Sequence, residues 1–314
     1  MDQSAIADRR SLRRKLGFWR LVVAALILIG GFSAYFMAND ERIGSAPQVA
    51  RVSVTGLITD DEELLARLAR IEESDAVKAV VVSISSNGGT TYGGEKVYKA
   101  LRRIAAVKPV VSDIRTTAAS AAYMIAVAGD RIFAGETSIT GSIGVIFQYP
   151  QVKDLLDKIG VSLEEIKSAP LKAEPSPFHP PSEDAKGVVR DLILDSYDWF
   201  VDLVAERRGF SHDEAVNIAD GRIFSGRQAL KLKLVDELGG DEEIRAYLET
   251  RGVSSDLPMI DWQASEGISG FTLPRALSTL INLLGYGDLA GRDKLSAGAG
   301  EHLLVDGLTS YWRP

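Results

Sequence analysis

One residue whose surroundings suit a nucleophile is Ser120, within residues 116–130, TTAASAAYMIAVAGD. The β-branched run at 110–114 predicts a buried strand upstream, and residues 121–128 lack turn residues and favour a helix. Ser120 would then lie at the start of a helix, where backbone N–H groups and the positive end of the helix dipole can stabilise an oxyanion. The alternative is that Ser120 only caps the helix.

A serine nucleophile needs a base, and the sequence offers two kinds. A histidine-dependent triad is possible, but no G-x-S-x-G motif surrounds Ser120. The three histidines are His179, His212 and His302, and they have no metal-ligand spacing such as HExxH. A lysine can serve if its surroundings keep it neutral. Lys172 is an isolated cation in the proline-rich loop 168–181. It could equally be a solvated surface side chain, and the residues alone do not select it among the lysines.

Two further small-residue stretches could take part in a site. Gly88 and Gly89 follow an apolar strand predicted at 78–84, and glycines at a strand's carboxyl end let the backbone approach a ligand. The stretch is not a phosphate loop, because GxxxxGK[ST] is absent. Residues 141–145, GSIGV, predict a second turn, in which Ser142 could bond to a neighbouring group or to its own turn. Both stretches are also compatible with ordinary turns.

Composition and charge restrict the class of protein. The 314 residues are 46% hydrophobic and 25% charged, which is typical of globular domains. The absence of cysteine excludes disulfides, thiolate metal ligands and a cysteine nucleophile. The net charge is −7 although residues 1–40 are basic, so the remainder is strongly acidic, which argues against nucleic acid as a partner. We expect no metal and no cofactor.

Residues 21–38 are uncharged and mostly apolar, and with their flanks they are long enough to span a bilayer. The basic cluster lies wholly within residues 1–20, which predicts a cytoplasmic N-terminus and export of everything after residue 40. In a bacterial cell this describes a single-pass protein of the inner membrane with an extracytoplasmic body. A cleaved signal peptide is the alternative, but the length of the run favours an uncleaved anchor.

After a linker at 39–47, strands and helices alternate. The patterns predict strands at 49–55, 78–84, 110–114, 131–134 and 145–147, with a tight loop at 85–89. They predict a helix after a capping box at 59–62, with Leu64, Leu65, Leu68 and Ile71 at helical spacing, and a next helix with Val97, Leu101 and Ile104 on one face. Further helices are predicted at 153–159, 182–208, 211–220, 226–232 and 241–251. Such alternation predicts an α/β fold with parallel strands and crossover helices, in a domain at 48–251. In the tail, 252–314, residues 273–284 could form an amphipathic helix against the membrane, a partner or the body, and residues 288–314 are expected to be poorly ordered.

Five motifs occur in one order: a strand–SSNGG–helix unit, TTAASAAYMIA, TGSIGV, KSAPLK and DGRIFSGRQALKLKLVDELGG. Together they resemble the signal peptide peptidase A (SppA) family of membrane-anchored serine–lysine peptidases, over about residues 48–250. The resemblance implies a Clp protease/crotonase-like fold, an α/β spiral of ββα units with C-terminal helices, in the short form with one such domain.

The resemblance also assigns roles to residues. Ser120 matches the nucleophile, Lys172 the general base, and Ser142 the hydroxyl that orients the lysine. Gly89 matches one oxyanion donor, and the N–H of Ala121 would be the other. These roles imply a serine endopeptidase that degrades residual signal peptides or other apolar peptides at the membrane, in a homo-oligomer whose active site is shared between subunits. The rival functions are a catalytically silent membrane scaffold and a crotonase-like acyl-CoA enzyme.

Four positions depart from the family pattern. Asn87 stands where proline is usual, Ala121 and Ala122 replace glycines after the nucleophile, and Lys233 replaces a glycine in the last motif. The changes around the nucleophile remove no backbone N–H, so the oxyanion donors could persist. The added methyl groups could narrow the pocket and alter substrate preference, whereas we expect only a structural effect at Lys233.

Overall fold

The structure is a computed structural model of the chain and describes residues 19–20, 30–31, 46–263 and 309–311. Positions 19–20 and 30–31 are helical, and the rest of the predicted span at 21–38 lies outside the described residues, as does the predicted helix at 273–284. None of the helices in the described ranges has the length and apolar character needed to cross a membrane.

Residues 46–263 and 309–311 contain nine strands and eight helices. The strands are β1 (Gln48–Ile58), β2 (Val77–Thr90), β3 (Val110–Ala119), β4 (Arg131–Ala134), β5 (Ile139–Gly141), β6 (Ile223–Ser225), β7 (Glu237–Leu238), β8 (Met259–Asp261) and β9 (Thr309–Tyr311). The helices are α1 (Glu62–Glu73), α2 (Thr91–Ala105), α3 (Ala121–Ala126), α4 (Lys153–Ile159), α5 (Glu183–Arg208), α6 (His212–Ile218), α7 (Gly226–Lys231) and α8 (Asp241–Thr250).

The strands form one sheet with the order β6-β5-β3-β2-β1-β8, in which β4 also pairs with β3, β7 with β4, and β9 with β2. The pairs β1–β2, β2–β3, β3–β4 and β3–β5 are parallel, and α1, α2 and α3 lie along the chain between successive parallel strands. The predicted α/β alternation is therefore confirmed. The pairs β5–β6 and β2–β9 are antiparallel.

The core lies between this sheet and the amphipathic helices. The apolar faces predicted for the first two helices are buried, at Leu64, Leu68 and Ile71 in α1 and at Val97, Leu101 and Ile104 in α2. Burying one such side chain stabilises the fold by about 1.5–3 kcal/mol. All six residues of α3 are buried, so the helix that follows Ser120 is fixed on every side.

The stretch 85–89, predicted as a tight loop, is instead the continuation of β2. After Thr55 pairs with Ser85 the register shifts, so that Leu57 lies opposite Gly88. The Ser86 hydroxyl donates to the Gly56 carbonyl at 2.6 Å across this irregularity. The residues are typical of a turn, but pairing with β1, which is distant in sequence, keeps them extended.

Two other local predictions are wrong. In place of the strand expected at 145–147 the structure has a single bridge residue, Ile146, and the preceding residues Ile139–Gly141 form β5 because they pair with β3. The helix expected to begin with a capping box at 59–62 begins at Glu62, and its cap is Asp61, whose Oδ1 accepts the Leu64 N–H at 2.9 Å.

Candidate active site

Ser120 occupies the single-residue turn between β3 and α3. Its φ of 60° and ψ of −123° form a conformation that L residues adopt at a cost of about 1–3 kcal/mol. Its N–H donates to the Gly141 carbonyl at 2.8 Å, and its own carbonyl accepts the N–H groups of Tyr123 and Met124 at 2.9 and 3.0 Å. These backbone bonds hold the strained residue in place.

Capping of α3 does not explain this serine. The Ser120 side chain makes no capping hydrogen bond, whereas Ser182, Ser211 and Ser225 each cap the helix that follows them with the side-chain oxygen. A serine in a sharp, strained strand-to-helix turn is the geometry of a nucleophile elbow. The order strand, Ser120, helix agrees with the prediction, and the small residues on each side of the serine were the local signal for it. Without a G-x-S-x-G motif, the positive φ of Ser120 was not predicted.

Close packing around the turn requires those small residues. Ala119, Ala121 and Ala122 are fully buried. Helix α2 approaches α3 so closely that a Cβ on Gly94 would lie 3.2 Å from the Ala121 Cβ and 3.0 Å from the Met124 Sδ. The Tyr123 hydroxyl donates to the Leu234 carbonyl at 2.8 Å, and complete burial raises the pKa of this phenol, so it remains a donor. The position of Ser120 is thus fixed by backbone bonds and by packing.

Ser142 lies next to Ser120 at the ends of neighbouring strands. Ala119 of β3 is opposite Gly141 of β5 in the parallel pairing, and the two serines follow directly. Ser142 has a φ of 51°, is almost buried, and donates its N–H to the Arg222 carbonyl at 2.7 Å. The structure therefore brings these two predicted site residues together.

The motif at 221–226 supports the turn that carries Ser142. Strand β6 pairs antiparallel with β5, with Ile223 opposite Gly141. Gly141 has a φ of 92°, and a Cβ there would lie only 2.7 Å from the Phe224 Cδ2. The glycine is required both by the backbone conformation and by the Phe224 ring.

Gly89 lies in the C-terminal extension of β2. It is opposite Ile58 of β1, and a Cβ on Gly89 would overlap the Ile58 carbonyl. Beyond Ser86, where pairing with β3 stops, the Gly88–Thr90 stretch pairs antiparallel with β9, so that Gly89 is opposite Ser310. Residues of β9 also lie within 8 Å of α3 between Cα atoms. A strand of this chain therefore pairs with the predicted oxyanion donor Gly89 and lies close to α3, the helix that begins at Ala121.

Lys172 is not part of this strand-paired group. It lies on an exposed loop between α4 and α5, and its N–H donates to the Ala169 carbonyl at 3.1 Å. The structure of the single chain thus assembles Ser120, Ser142, Ala121 and Gly89, and leaves the predicted base on a surface loop.

Comparison with known proteins decides the family. Residues 102–253 match the family described as Peptidase family S49, and residues 45–139 match Clp protease. The chain is 34% identical over 237 residues to a putative signal peptide peptidase SppA of Enterococcus faecium, covering 71% of this chain and 69% of that protein. The chain belongs to peptidase family S49. It is a serine peptidase with a mixed α/β fold and a Clp-protease-like domain.

Two other relatives of this S49 peptidase are also named as proteases. It is 36% identical over 223 residues to a putative protease of Synechocystis sp., covering 70% of this chain and 80% of that protein. It is 30% identical over 193 residues to the chloroplastic serine protease SPPA of Arabidopsis thaliana, covering 60% of this chain and 28% of that protein. The expected SppA resemblance is confirmed, and family membership argues against a silent scaffold and an acyl-CoA enzyme.

One group of side chains in the described part of the S49 peptidase has the composition of a metal site. Ligand atoms of Glu165, Glu174 and His179 lie within 4.8 Å of one another. The Lys167 ammonium lies 2.6 Å from a Glu165 oxygen and 2.7 Å from a Glu174 oxygen, so the protein's own cation already balances these carboxylates. These residues therefore fit an ion-paired cluster better than a metal centre.

Proposed function

We propose that this S49 peptidase is an endopeptidase with a Ser–Lys dyad, in which Ser120 is the nucleophile and Lys172 the general base. The observation that carries the proposal is the strained conformation of Ser120 in a turn where its side chain does not cap the helix. Such strain is typical of residues that must present a reactive group. The order of the family motifs, with Lys172 in the KSAPLK loop, supports the choice of base.

The proposed reaction begins with Lys172 in its neutral form. Its Nζ takes the hydroxyl proton of Ser120 while Oγ attacks the peptide carbonyl, and the resulting ammonium protonates the leaving amine. Water then hydrolyses the acyl-enzyme. The N–H groups of Gly89 and Ala121 stabilise the oxyanion, and loss of one such donor typically costs about 3 kcal/mol. Ala121 suits this role because the first N–H groups of a helix have no acceptor within the helix.

We propose that the substrates are apolar peptides bound as extended strands. The Gly88–Thr90 edge already pairs with β9, which supports strand addition as the binding mode. A cavity of about 380 Å³ reaches Ile58, which is opposite Gly89, and Ile125 of α3, and its wall includes Val54, Leu57 and Leu64. The wall also carries polar residues, among them Asp61 and Arg67, so only its apolar part would accept the apolar side chains of residual signal peptides.

We propose a homo-oligomer in which the active site is shared between subunits. Helix α4 buries none of its residues, and large apolar side chains on it and on the following segment are exposed: Leu155, Ile159, Val161, Leu163 and Ile166. Exposed apolar clusters of this kind mark contact surfaces. We propose that a second copy packs here and that the Lys172 loop, which follows this segment in the chain, meets the Ser120 turn of that copy.

We also propose that residues 21–38 anchor the protein in the bacterial inner membrane, with residues 1–20 in the cytoplasm and the catalytic domain outside it. The proposal rests on the apolar run and on the basic residues before it. An anchor would confine the peptidase to the place where residual signal peptides lie.

The test uses the full chain in detergent and a fluorogenic apolar peptide. Ser120→Ala and Lys172→Ala should each abolish cleavage, and Lys99→Met, which removes only an exposed ion pair with Glu95 on α2, should not. Full activity in either of the first two variants would contradict the dyad. Mixing the two inactive variants should restore part of the activity if the site is shared between subunits, whereas a site within one chain would stay inactive.

A further inference from the structure

The loop that carries Lys172 is closed at its base by an ion-paired group, Glu165, Lys167, Glu174 and His179, which we call the clasp. Lys167 Nζ lies 2.6 Å from Glu165 Oε2 and 2.7 Å from Glu174 Oε1. The Glu174 side chain is only 8% exposed and lies 3.3 Å from His179 Nε2. Residues 168–173, which include Lys172, therefore form a loop whose two ends are joined by the ion pair between Lys167 and Glu174.

Glu174 of the clasp is connected through hydrogen bonds to the residues just before α4. Glu174 Oε2 accepts the Ser176 N–H at 3.1 Å, and Ser176 is buried. Gln151 Nε2 donates to the Ser176 carbonyl at 2.8 Å, and the Val152 N–H donates to the Pro177 carbonyl at 2.8 Å. Glu174 thus connects the Lys172 loop to a segment that has its own fixed partners.

We propose that Lys167 and Glu174 are positioning residues for Lys172, so that their ion pair sets both the placement and the charge state of the catalytic lysine. This proposal rests on the proposed role of Lys172 as the base. A base displaced by about 1 Å can cost up to about 100-fold in rate, so a loop at the surface needs such a restraint.

The charges of the clasp also bear on Lys172. A general base must be neutral, and unbalanced carboxylates nearby would favour its ammonium form. The hydrogen bonds from Lys167 lower the pKa of the Glu165 and Glu174 carboxyls, and the same bonds raise the pKa of Lys167, so all three are charged at neutral pH. Lys167 therefore offsets negative charge two residues from Lys172.

The neighbouring element contributes little net charge to this region. The charged side chains of α4 that line the same cavity are Lys153 and Asp157, which pair with each other at 2.7 Å. His179, the fourth member of the clasp, approaches both carboxylates from the C-terminal end of the loop. Lys167 bonds to both carboxylates, whereas His179 lies 3.6 Å from Glu165 and 3.3 Å from Glu174 and adds a positive charge only when it is protonated.

The experiment measures kcat, KM and the pH–rate profile of the full chain in detergent. Lys167→Met should lower kcat about ten-fold at neutral pH with little change in KM, and should move the rising limb to higher pH, because the clasp loses a positive charge beside its two carboxylates. Glu174→Gln should also lower kcat but should move the limb to lower pH, because it removes a negative charge. Lys167→Arg should keep most of the activity, and Lys99→Met should behave as the wild type.

Opposite pH shifts in the two clasp variants would support the proposal, since mere disruption of the fold would not produce them. If both clasp variants had the wild-type kcat and pH–rate profile while Lys172→Ala was inactive, the positioning role of the clasp would be refuted and the proposed dyad would not. A loss of kcat with an unchanged limb and a lowered unfolding temperature would also refute the positioning role, because the residues would then be structural. Activity in Lys172→Ala would overturn the dyad itself.

Discussion

The N–H of Ser120 donates to the carbonyl of Gly141 at 2.8 Å, across the parallel pair in which Ala119 lies opposite Gly141. Both residues joined by this bond have a positive φ, which is 60° at Ser120 and 92° at Gly141. Ser142, which follows with 51°, is fixed in turn by the Arg222 carbonyl. The strained turn at Ser120 and the turn that carries Ser142 are therefore held as one unit, and the predictions below test what that unit does.

The strain at Ser120 predicts a difference between two inactive variants. Ser120→Gly and Ser120→Ala should both abolish cleavage, but the glycine variant should be the more stable by about 1 kcal/mol, because glycine adopts this conformation without the steric cost. Chemical denaturation of both proteins measures the difference. A glycine variant no more stable than the alanine variant would show that the turn is not strained.

Gly141 should be intolerant of a side chain. Gly141→Ala should lower the free energy of unfolding by about 1–3 kcal/mol and greatly reduce activity, because its φ is positive and the new Cβ would meet the Phe224 ring. Gly144→Ala is the matched control, because its Cβ would have no neighbour nearer than 3.8 Å. Similar behaviour of the two variants in thermal unfolding and peptide cleavage would contradict this account of β5.

Lys233 should be a site where the usual family glycine stabilises the protein. It is an exposed residue with a φ of 59°, which disfavours any residue with a Cβ. Lys233→Gly should raise the free energy of unfolding by about 0.5–1 kcal/mol without changing activity. In contrast, Lys231→Gly, at the last position of α7, should destabilise by a similar amount. A destabilised Lys233→Gly protein would refute the argument.

Removal of β9 should open the proposed peptide edge. Deletion of residues 309–314 should increase kcat/KM for apolar peptides several-fold, because Gly88–Thr90 would no longer pair with a strand of the same chain. Deletion of residues 312–314 alone is the control, because it leaves β9 in place. Equal or lower activity after removal of β9 would show that this strand does not compete with substrate.

The sequence predicted the elements whose apolar faces are regular. The faces of α1 and α2, the helix α4 at Lys153–Ile159 and the strand β4 at Arg131–Ala134 all follow local periodicity, so they needed no knowledge of distant residues. The extension of β2 through residues 85–89 was missed because it depends on pairing with β1, and β5 was misplaced because it depends on pairing with β3.

The candidate site was only partly accessible from local sequence. The motifs predicted Ser120 and Ser142, but the residue types did not predict the positive φ values that these two serines adopt. The clasp was missed altogether, because Lys167 and Glu174 look like surface charges until the loop between them is closed. The single chain leaves Lys172 on a surface loop, so its proposed pairing with Ser120 would need contacts that a local pattern does not encode.

The most direct test of the dyad is mass spectrometry of the full chain after reaction with an acylating active-site probe. The account predicts that the probe modifies Ser120 in the wild type, and that Lys172→Ala loses this modification while Lys99→Met keeps it. Modification of a different serine, or labelling of Ser120 at the wild-type rate in Lys172→Ala, would contradict the assignment.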